Sequence, residues 1–161
     1  MAATPATALA RGTPAGLPLR DGFYTVITFG TDNTLSIWEK STTPPGQDGG
    51  DPIDTTTFHN SVFRTKYPRT LIETTDGTIV CAYDPGDLDA ILGHINVNQS
   101  ITVTFNDEST QAFWGYMKSF TPNEHSDGEQ PEATVEFVIT NTDSAFLEDT
   151  GGPAIVSVAG T

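Results

Sequence analysis

The sequence predicts a mainly β domain with a single helix, and three observations carry that prediction. Period-two alternation of apolar and polar residues dominates the chain. One stretch, from Asp84 to Ile95, has helical spacing instead. A third, from Ser41 to Thr70, follows neither period and opens with Pro44-Pro45-Gly46-Gln47-Asp48-Gly49-Gly50-Asp51-Pro52. With 161 residues, 36% of them hydrophobic and 9% aromatic, the chain is long enough for one domain with its own core. Residues 1–20 are rich in Ala, Thr, Pro and Gly, without a charged start or a continuous apolar run. They read as an N-terminal extension, mobile or ordered by assembly, and not as a secretory signal. Residues 21–150 form the folded domain, and 151–161 a loose tail whose Ile155, Val156 and Val158 could add an edge strand in an assembly.

Taken in order, Phe23 to Phe29 and Thr34 to Glu39 alternate as strands, and Thr31-Asp32-Asn33 between them suits a tight hairpin turn. Leu71 to Thr74 and Thr78 to Tyr83 flank Asp76-Gly77, the strongest short hairpin signal in the chain. Asp84 then offers an N-cap, Pro85 the favoured first helical position and Asp87 an acid for the first turn. Leu88, Ile91, Leu92 and Ile95 come next at i, i+3, i+4 and i+7, a stripe that packs one face on a sheet, and the helix ends near Asn96. Ser100 to Phe105 alternates again, Asn106 to Ser109 turns the chain, and Gln111 to Phe120 returns. In the last clear strand, Ala133 to Thr140, the apolar set Ala133, Val135, Phe137 and Ile139 faces the core. Thr134, Glu136, Val138 and Thr140 take the other face.

The stretch from Ser41 to Thr70 stands apart from this pattern. A loop of that length without structure of its own is uncommon in a compact domain unless it is a lid, a binding element or disordered. This one carries Ile53, Phe58, Val62, Phe63 and Tyr67, anchors that need burial and find few places for it in a domain of this size. It therefore reads as an arm that docks on a neighbouring subunit, with Pro45, Asp51, Ile53, Phe58, Phe63, Arg64, Lys66, Tyr67 and Arg69 as its contact residues. The charge pattern agrees. Of 21 acids and 7 bases, residues 1–40 hold three of each, which leaves 18 acids against Arg64, Lys66, Arg69 and Lys118. Three of those four bases lie on the arm, as expected if a locally basic arm meets an acidic neighbour, with Asp87, Asp89 or Glu73 as candidate partners. The plainer reading is that the acids keep the chain soluble. A formal charge of -14 argues against a grip on nucleic acid phosphates, although not against passage of DNA past a repelling wall.

Catalytic and metal-binding patterns are weak, so the expectation is a protein that is not an enzyme and has no cofactor. The lone Cys81 alternates with Ile79 and Tyr83 as a core residue would. His59, His94 and His125 lack metal-type spacing, and Asp84, Asp87 and Asp89 are explained by a capped helix start. Asp48, Asp51 and Asp54 sit in a Gly-rich turn that needs no cation, and neither a nucleophile elbow nor a phosphate loop occurs. No apolar run approaches the roughly 20 residues of a membrane span, so no membrane partner is expected.

The order of elements carries a resemblance. Gly49-Gly50-Asp51-Pro52-Ile53-Asp54-Thr55-Thr56-Thr57, Pro68-Arg69-Thr70-Leu71, the helix from Asp84 to Ile95, Ile101-Thr102-Val103-Thr104-Phe105 and, above all, Phe113-Trp114-Gly115-Tyr116-Met117-Lys118-Ser119-Phe120-Thr121-Pro122-Asn123-Glu124 resemble the tail tube (major tail) protein of long-tailed bacteriophages. Gly128-Glu129-Gln130-Pro131 before Ala133-Thr134-Val135 is similar to the family's segment ahead of its final tube strand. The resemblance spans roughly residues 21–142.

It implies a β-sandwich or half-open barrel with one flanking helix, six copies per ring, and rings stacked into a tube through which double-stranded DNA passes without specific binding. It implies that the loop from Ser41 to Thr70 contacts the adjacent ring, that other tail proteins meet the tube ends, and that the chain resides in the virion tail after assembly in the host cytoplasm. The hydroxyl-rich outward set Thr102, Thr104, Thr134, Glu136 and Thr140 is then the candidate lumen face, with Glu136 its acid. The alternative is a monomeric carbohydrate- or ligand-binding β-sandwich that uses Trp38, Trp114 or Tyr116 as a stacking platform.

Overall fold

Alternation is the local reason for the sheet, and a computed structural model, which describes residues 25–30, 37–106 and 108–156, shows how its strands join. In chain order they are β1 (Val26–Phe29), β2 (Trp38–Thr43), β3 (Gln47–Asp48), β4 (Ile53–Asp54), β5 (Lys66–Tyr67), β6 (Glu73–Thr74) and β7 (Gly77–Ala82). A 3-10 turn (Pro85–Asp87) then runs into α1 (Leu88–Leu92), followed by β8 (Gln99–Thr104), β9 (Thr110–Pro122), β10 (Glu132–Ile139) and β11 (Ala154–Val156). The protein is mainly β with one short helix. Seven strands form one antiparallel sheet in the order β1-β8-β9-β10-β7-β2, with β11 added to β9.

The long strand β9 is shared by two halves of that sheet. Its first half pairs with β8 (Ile101↔Phe113) and, on its other edge, with β11 (Ala154↔Ala112); its second half pairs with β10 (Val135↔Phe120). The sheet then folds over, because Phe137 of β10 meets Phe29 of β1 edge-on at 6.1 Å and Phe113 of β9 in a stack at 6.1 Å. Ile79, Ile101, Val103, Met117, Ala133, Val135 and Phe137 are wholly buried in the resulting core. As the alternation predicts, Ala133, Val135, Phe137 and Ile139 all face inward. Where β1 and β2 meet across the fold they form no ladder. Instead the Ile27 N–H donates to Glu39 Oε1 at 3.0 Å, so a carboxylate bridges the seam.

Two bulges keep the inward set inward. On β9, Met117 opposes Phe137 and Ser119 opposes Glu136, so Lys118 is the extra residue and Phe120 returns to the core side. On β2, Glu39 opposes Cys81 and Ser41 opposes Val80, so Lys40 is extra. Each displaced lysine pairs with a carboxylate of β10: Lys118 Nζ lies 3.0 Å from Glu136 Oε2, and Lys40 pairs with Glu132.

Several sequence-based expectations are corrected here. The first two strands are not a hairpin: β1 pairs with β8 and β2 with β7, at opposite ends of the sheet. The turn proposed at Thr31-Asp32-Asn33, with Phe23, Tyr24 and Thr34 to Ser36, lies outside the described residues, as do the N-terminal extension and Val158. The second strand continues to Thr43, which removes Ser41–Thr43 from the arm. Nor does Asp76-Gly77 make a hairpin. Glu73 and Thr74 pair with Asp48 and Gln47, while β7 pairs with β2 and β10. The reason is steric rather than conformational. Gly77 is a buried strand residue, and a Cβ there would lie 2.2 Å from Phe137 Cζ. The helix begins as expected, with Asp84 Oδ1 accepting from the Gly86 N–H at 2.8 Å and Pro85 behind it. It is far shorter than the stripe suggests. Gly93 caps it, Asn96 turns the chain at φ 61 and donates its N–H to Met117 O at 3.0 Å, and Leu92 is left 55% exposed while Ile91 is buried. Finally, the tail strand β11 joins this chain's own sheet.

Gly77→Ala should cost at least about 2 kcal/mol of stability, since the added Cβ would force the wholly buried Phe137 ring from its seat. Urea denaturation of the variant checks this. A change within about 0.5 kcal/mol would mean that the ring can move.

Candidate assembly surface

Gly and Pro punctuate residues 44–52, yet the segment they open is a built ribbon and not an irregular loop. At its root Pro45 is buried, the Gly46 N–H donates to Thr75 Oγ1 at 2.8 Å, and the Thr75 N–H returns a bond to Gly46 O at 2.9 Å. Buried Thr74 ties the root to the body through Asn141 Oδ1 at 3.2 Å. Outward from there come the β3/β6 ladder, then Arg69 Nε donating to Asp51 O at 2.8 Å, then the β4/β5 ladder with Ile53 opposite Tyr67 and Asp54 opposite Lys66. Short polar side chains fold the turns in the way Asx motifs do. Asp48 Oδ1 accepts from the N–H of Gly50 (φ +70) at 2.8 Å, and Asp54 Oδ1 accepts from the Thr56 N–H at 2.9 Å. At the tip Asn60 accepts from the Thr57 N–H at 2.8 Å and donates to Phe63 O at 3.1 Å. The Thr56 bonds, helped by Lys66 across the ribbon, hold the Asp54 carboxyl below the usual carboxylate range.

The apolar anchors on this ribbon touch little of their own chain. Phe58 is fully exposed, Phe63 80% and Tyr67 61% exposed. Ile53, Val62, Leu71 and Ile72 are exposed as well. Asp51, Arg64, Lys66 and Arg69 also face solvent, and of the predicted contact residues only Pro45 is buried.

The candidate lumen residues lie on the sheet's outer surface, though not as one flat face. Thr102 and Thr104 project from β8, whereas Thr134 and Glu136 project from β10, and the fold that brings Phe29 onto Phe137 turns those two surfaces apart. Thr134 Oγ1 donates to Asn123 Oδ1 at 3.0 Å, and Thr140 Oγ1 to Asn98 Oδ1 at 2.8 Å. Glu136 is not a lone acid, because Lys118 neutralises it, and the same contact raises the Lys118 pKa. Sequence reasoning missed this pairing; only the bulge places Lys118 there.

Other singled-out residues have structural roles. Cys81 is buried, and its Sγ–H donates to Ala133 O at 3.5 Å. His94 Nδ1 meets Gln99 Oε1 at 3.1 Å, and the His125 ring lies 5.5 Å from that of Tyr83. Trp38 is 64% exposed on β2, away from Trp114 and Tyr116, which share one face of β9 and are half-buried. Also unforeseen was the exposed pair Phe146 (80%) and Leu147 (65%), in a loop whose turn is built by Asp143. Among the described residues no group of three or more His, Cys, Asp and Glu could hold a metal ion, and no helix is long and apolar enough to cross a membrane.

No family model and no curated protein matches this sequence. Among solved structures, the fold matches a chain in the cryo-EM structure of the anti-feeding prophage (AFP) baseplate, 6-fold symmetrised, with a TM-score of 0.54. The two chains share a fold. Identity is 9%, and the match covers 81% of this chain and 89% of that one.

The depressed Asp54 carboxyl gives the ribbon a pH dependence of definite sign. A group whose folded pKa is lowered contributes stability at neutral pH and loses it as pH falls through its own range. Protection factors at Thr56 and Thr65, corrected for the intrinsic pH dependence of exchange, should therefore fall on acidification before those of β7 and β10. Simultaneous loss in ribbon and core would contradict a locally held turn.

Proposed function

We propose that this chain is a structural subunit of a phage tail or tail-like particle, without catalytic activity or cofactor, whose copies form six-membered rings that stack into a tube for genome delivery. The observation that carries this reading is the ribbon between Gly46 and Thr75, an ordered element whose large apolar side chains point into solvent. Exposed, rimmed apolar surface on an ordered element marks an interaction site. The fold likeness to a chain of a six-fold baseplate supports a place in such an assembly, as does the order of sequence motifs. In this reading the ribbon joins one ring to the next, other tail proteins cap the tube, and the particle rather than the cell is the protein's final location. Contacts repeated around each ring then sum to a stable stack from individually modest interfaces.

The lumen is assigned in this reading to the outer surface of β10 and β7, where Thr78, Val138 and Asp76 lie beside the Lys118–Glu136 pair and Thr134 precedes it on the same face of β10. A surface of hydroxyls with compensated charge holds phosphates poorly.

Two experiments test this. Replacing residues 49–71 with a short Gly/Ser linker keeps the root and should leave a folded subunit that forms no tubes by electron microscopy, because loop changes of this kind add little closure entropy. Tubes of normal length from that variant would overturn the ribbon's role. Glu136→Lys should permit assembly but slow DNA passage by roughly tenfold, since each subunit would then present two adjacent ammonium groups to the backbone. Ejection at the normal rate would move the lumen to another surface.

A further inference from the structure

The unmatched charges on this molecule point to where the ribbon lands, an inference that rests on the tube reading. Five basic side chains lie among the described residues. Lys40 pairs with Glu132, Lys118 with Glu136 and Arg69 with Asp51 O; Lys66 stands opposite Asp54 in the β4/β5 ladder without a salt bridge to it. Arg64, next to the exposed Phe63, has no hydrogen bond or ion pair among the described residues.

A site of matching chemistry lies on the body. After β10 the chain folds into a tight loop: Asp143 Oδ1 accepts from the Ala145 and Leu147 N–H groups at 2.8 and 3.0 Å, and the Asp149 N–H donates to Asn141 O at 2.8 Å. Phe146 is held at φ 59 with its ring in solvent, a conformation unfavourable for a bulky residue. Beyond it, Asp149 and Gly151 form one wall of an open cleft of about 260 Å³, and Trp114 and Ala112 of β9 form the other. An indole and a carboxylate lining one cleft suit a guanidinium, which stacks on the first and pairs with the second. The exposed Phe146 and Leu147 beside it offer apolar surface to Phe63.

We infer that this Trp114–Asp149 cleft receives Arg64 from the ribbon of a second copy. Within one copy Arg64 makes no ion pair with Asp149. It sits on the ribbon ten residues before Thr74, the residue that ties the ribbon root to Asn141 beside this loop. A ribbon rooted beside one cleft and reaching the equivalent cleft of the next copy makes a head-to-tail contact that propagates without closing. The ribbon's reach then sets the spacing between rings.

The test is a charge swap read by tube assembly. Arg64→Asp and Asp149→Arg should each raise the concentration needed for assembly by about tenfold or more, which is roughly 1.4 kcal/mol per contact, and the double variant should recover most of the loss. Asp149→Asn keeps the oxygen that accepts from the Gly151 N–H at 3.2 Å while removing the charge, so it separates folding of the loop from pairing, and it should weaken assembly with diminished salt dependence. Wild-type tubes that are indifferent to Asp149→Arg and Asp149→Asn, or single-variant losses that the swap does not repair, would overturn the inference and leave the tube reading standing. A wild-type chain that forms no rings or tubes at any concentration would overturn both.

Discussion

The seat of Phe137 governs this architecture. Its ring fills the space that Gly77 leaves open, stacks on Phe113 and meets the edge of Phe29, so one side chain joins β7, β9, β10 and β1. An open antiparallel sheet would leave one face wet. Here the contact folds the sheet over itself, and the inward residues of both halves complete a core with Ile79, Ile101, Val103 and Met117 at no measurable exposure. A core completed in this way has no vacancy for the ribbon's apolar side chains. Phe58, Phe63 and Tyr67 are outside because the core is complete without them, and burial of three such residues is worth roughly 1.5–3 kcal/mol each to whatever surface covers them.

The two bulges link this core to the surface charge. Each is a register correction: without the extra residue, Phe120 on β9 would point outward and the inward set of β2 would slip. The extra residue in both cases is a lysine, and each meets a β10 carboxylate. Exposed pairs of this kind add little stability. Their effect is to leave the outer surface of β10 close to neutral, although the chain carries a formal charge of -14. Uncompensated acids gather instead around the helix start, the turn before β10 and the loop after it.

How much of this was legible in the sequence depended on the range of the cause. Local causes read well. The alternation of Ala133, Val135, Phe137 and Ile139 marks the inward face of β10, Asp84-Pro85 marks the helix start, and the anchors of the arm have no home in the core, as their number in so small a domain implies. Long-range causes did not read. Asp76-Gly77 has the chemistry of a type I′ turn, but the glycine is required by a ring sixty residues away, and the backbone there stays extended. The arm's own order was hidden for a similar reason. Its ladders are two residues long, too short to show a period, and its turns are held by Asp48, Asp54 and Asn60, which read simply as polar loop residues. The Lys118–Glu136 pair was invisible without the bulge that makes it.

Order in the ribbon matters for what it can do as a connector. A disordered arm would lose its conformational entropy at the moment of docking, a penalty of several kcal/mol that weakens the contact. This ribbon bears that loss when the subunit folds, through the Asn60 tip, the Thr55–Thr65 bonds and the Asp54 turn. The apolar side chains and Arg64 are thus presented in a fixed arrangement before any partner arrives, and association retains more of the gross contact energy. Such an arrangement has a hazard, since exposed Phe58 and Phe63 invite nonspecific association. The charge pattern limits it: acidic bodies repel one another at a distance, and the ribbon carries Arg64, Lys66 and Arg69, none in a salt bridge among the described residues, so an approach that brings ribbon to acidic loop is favoured over one that brings body to body.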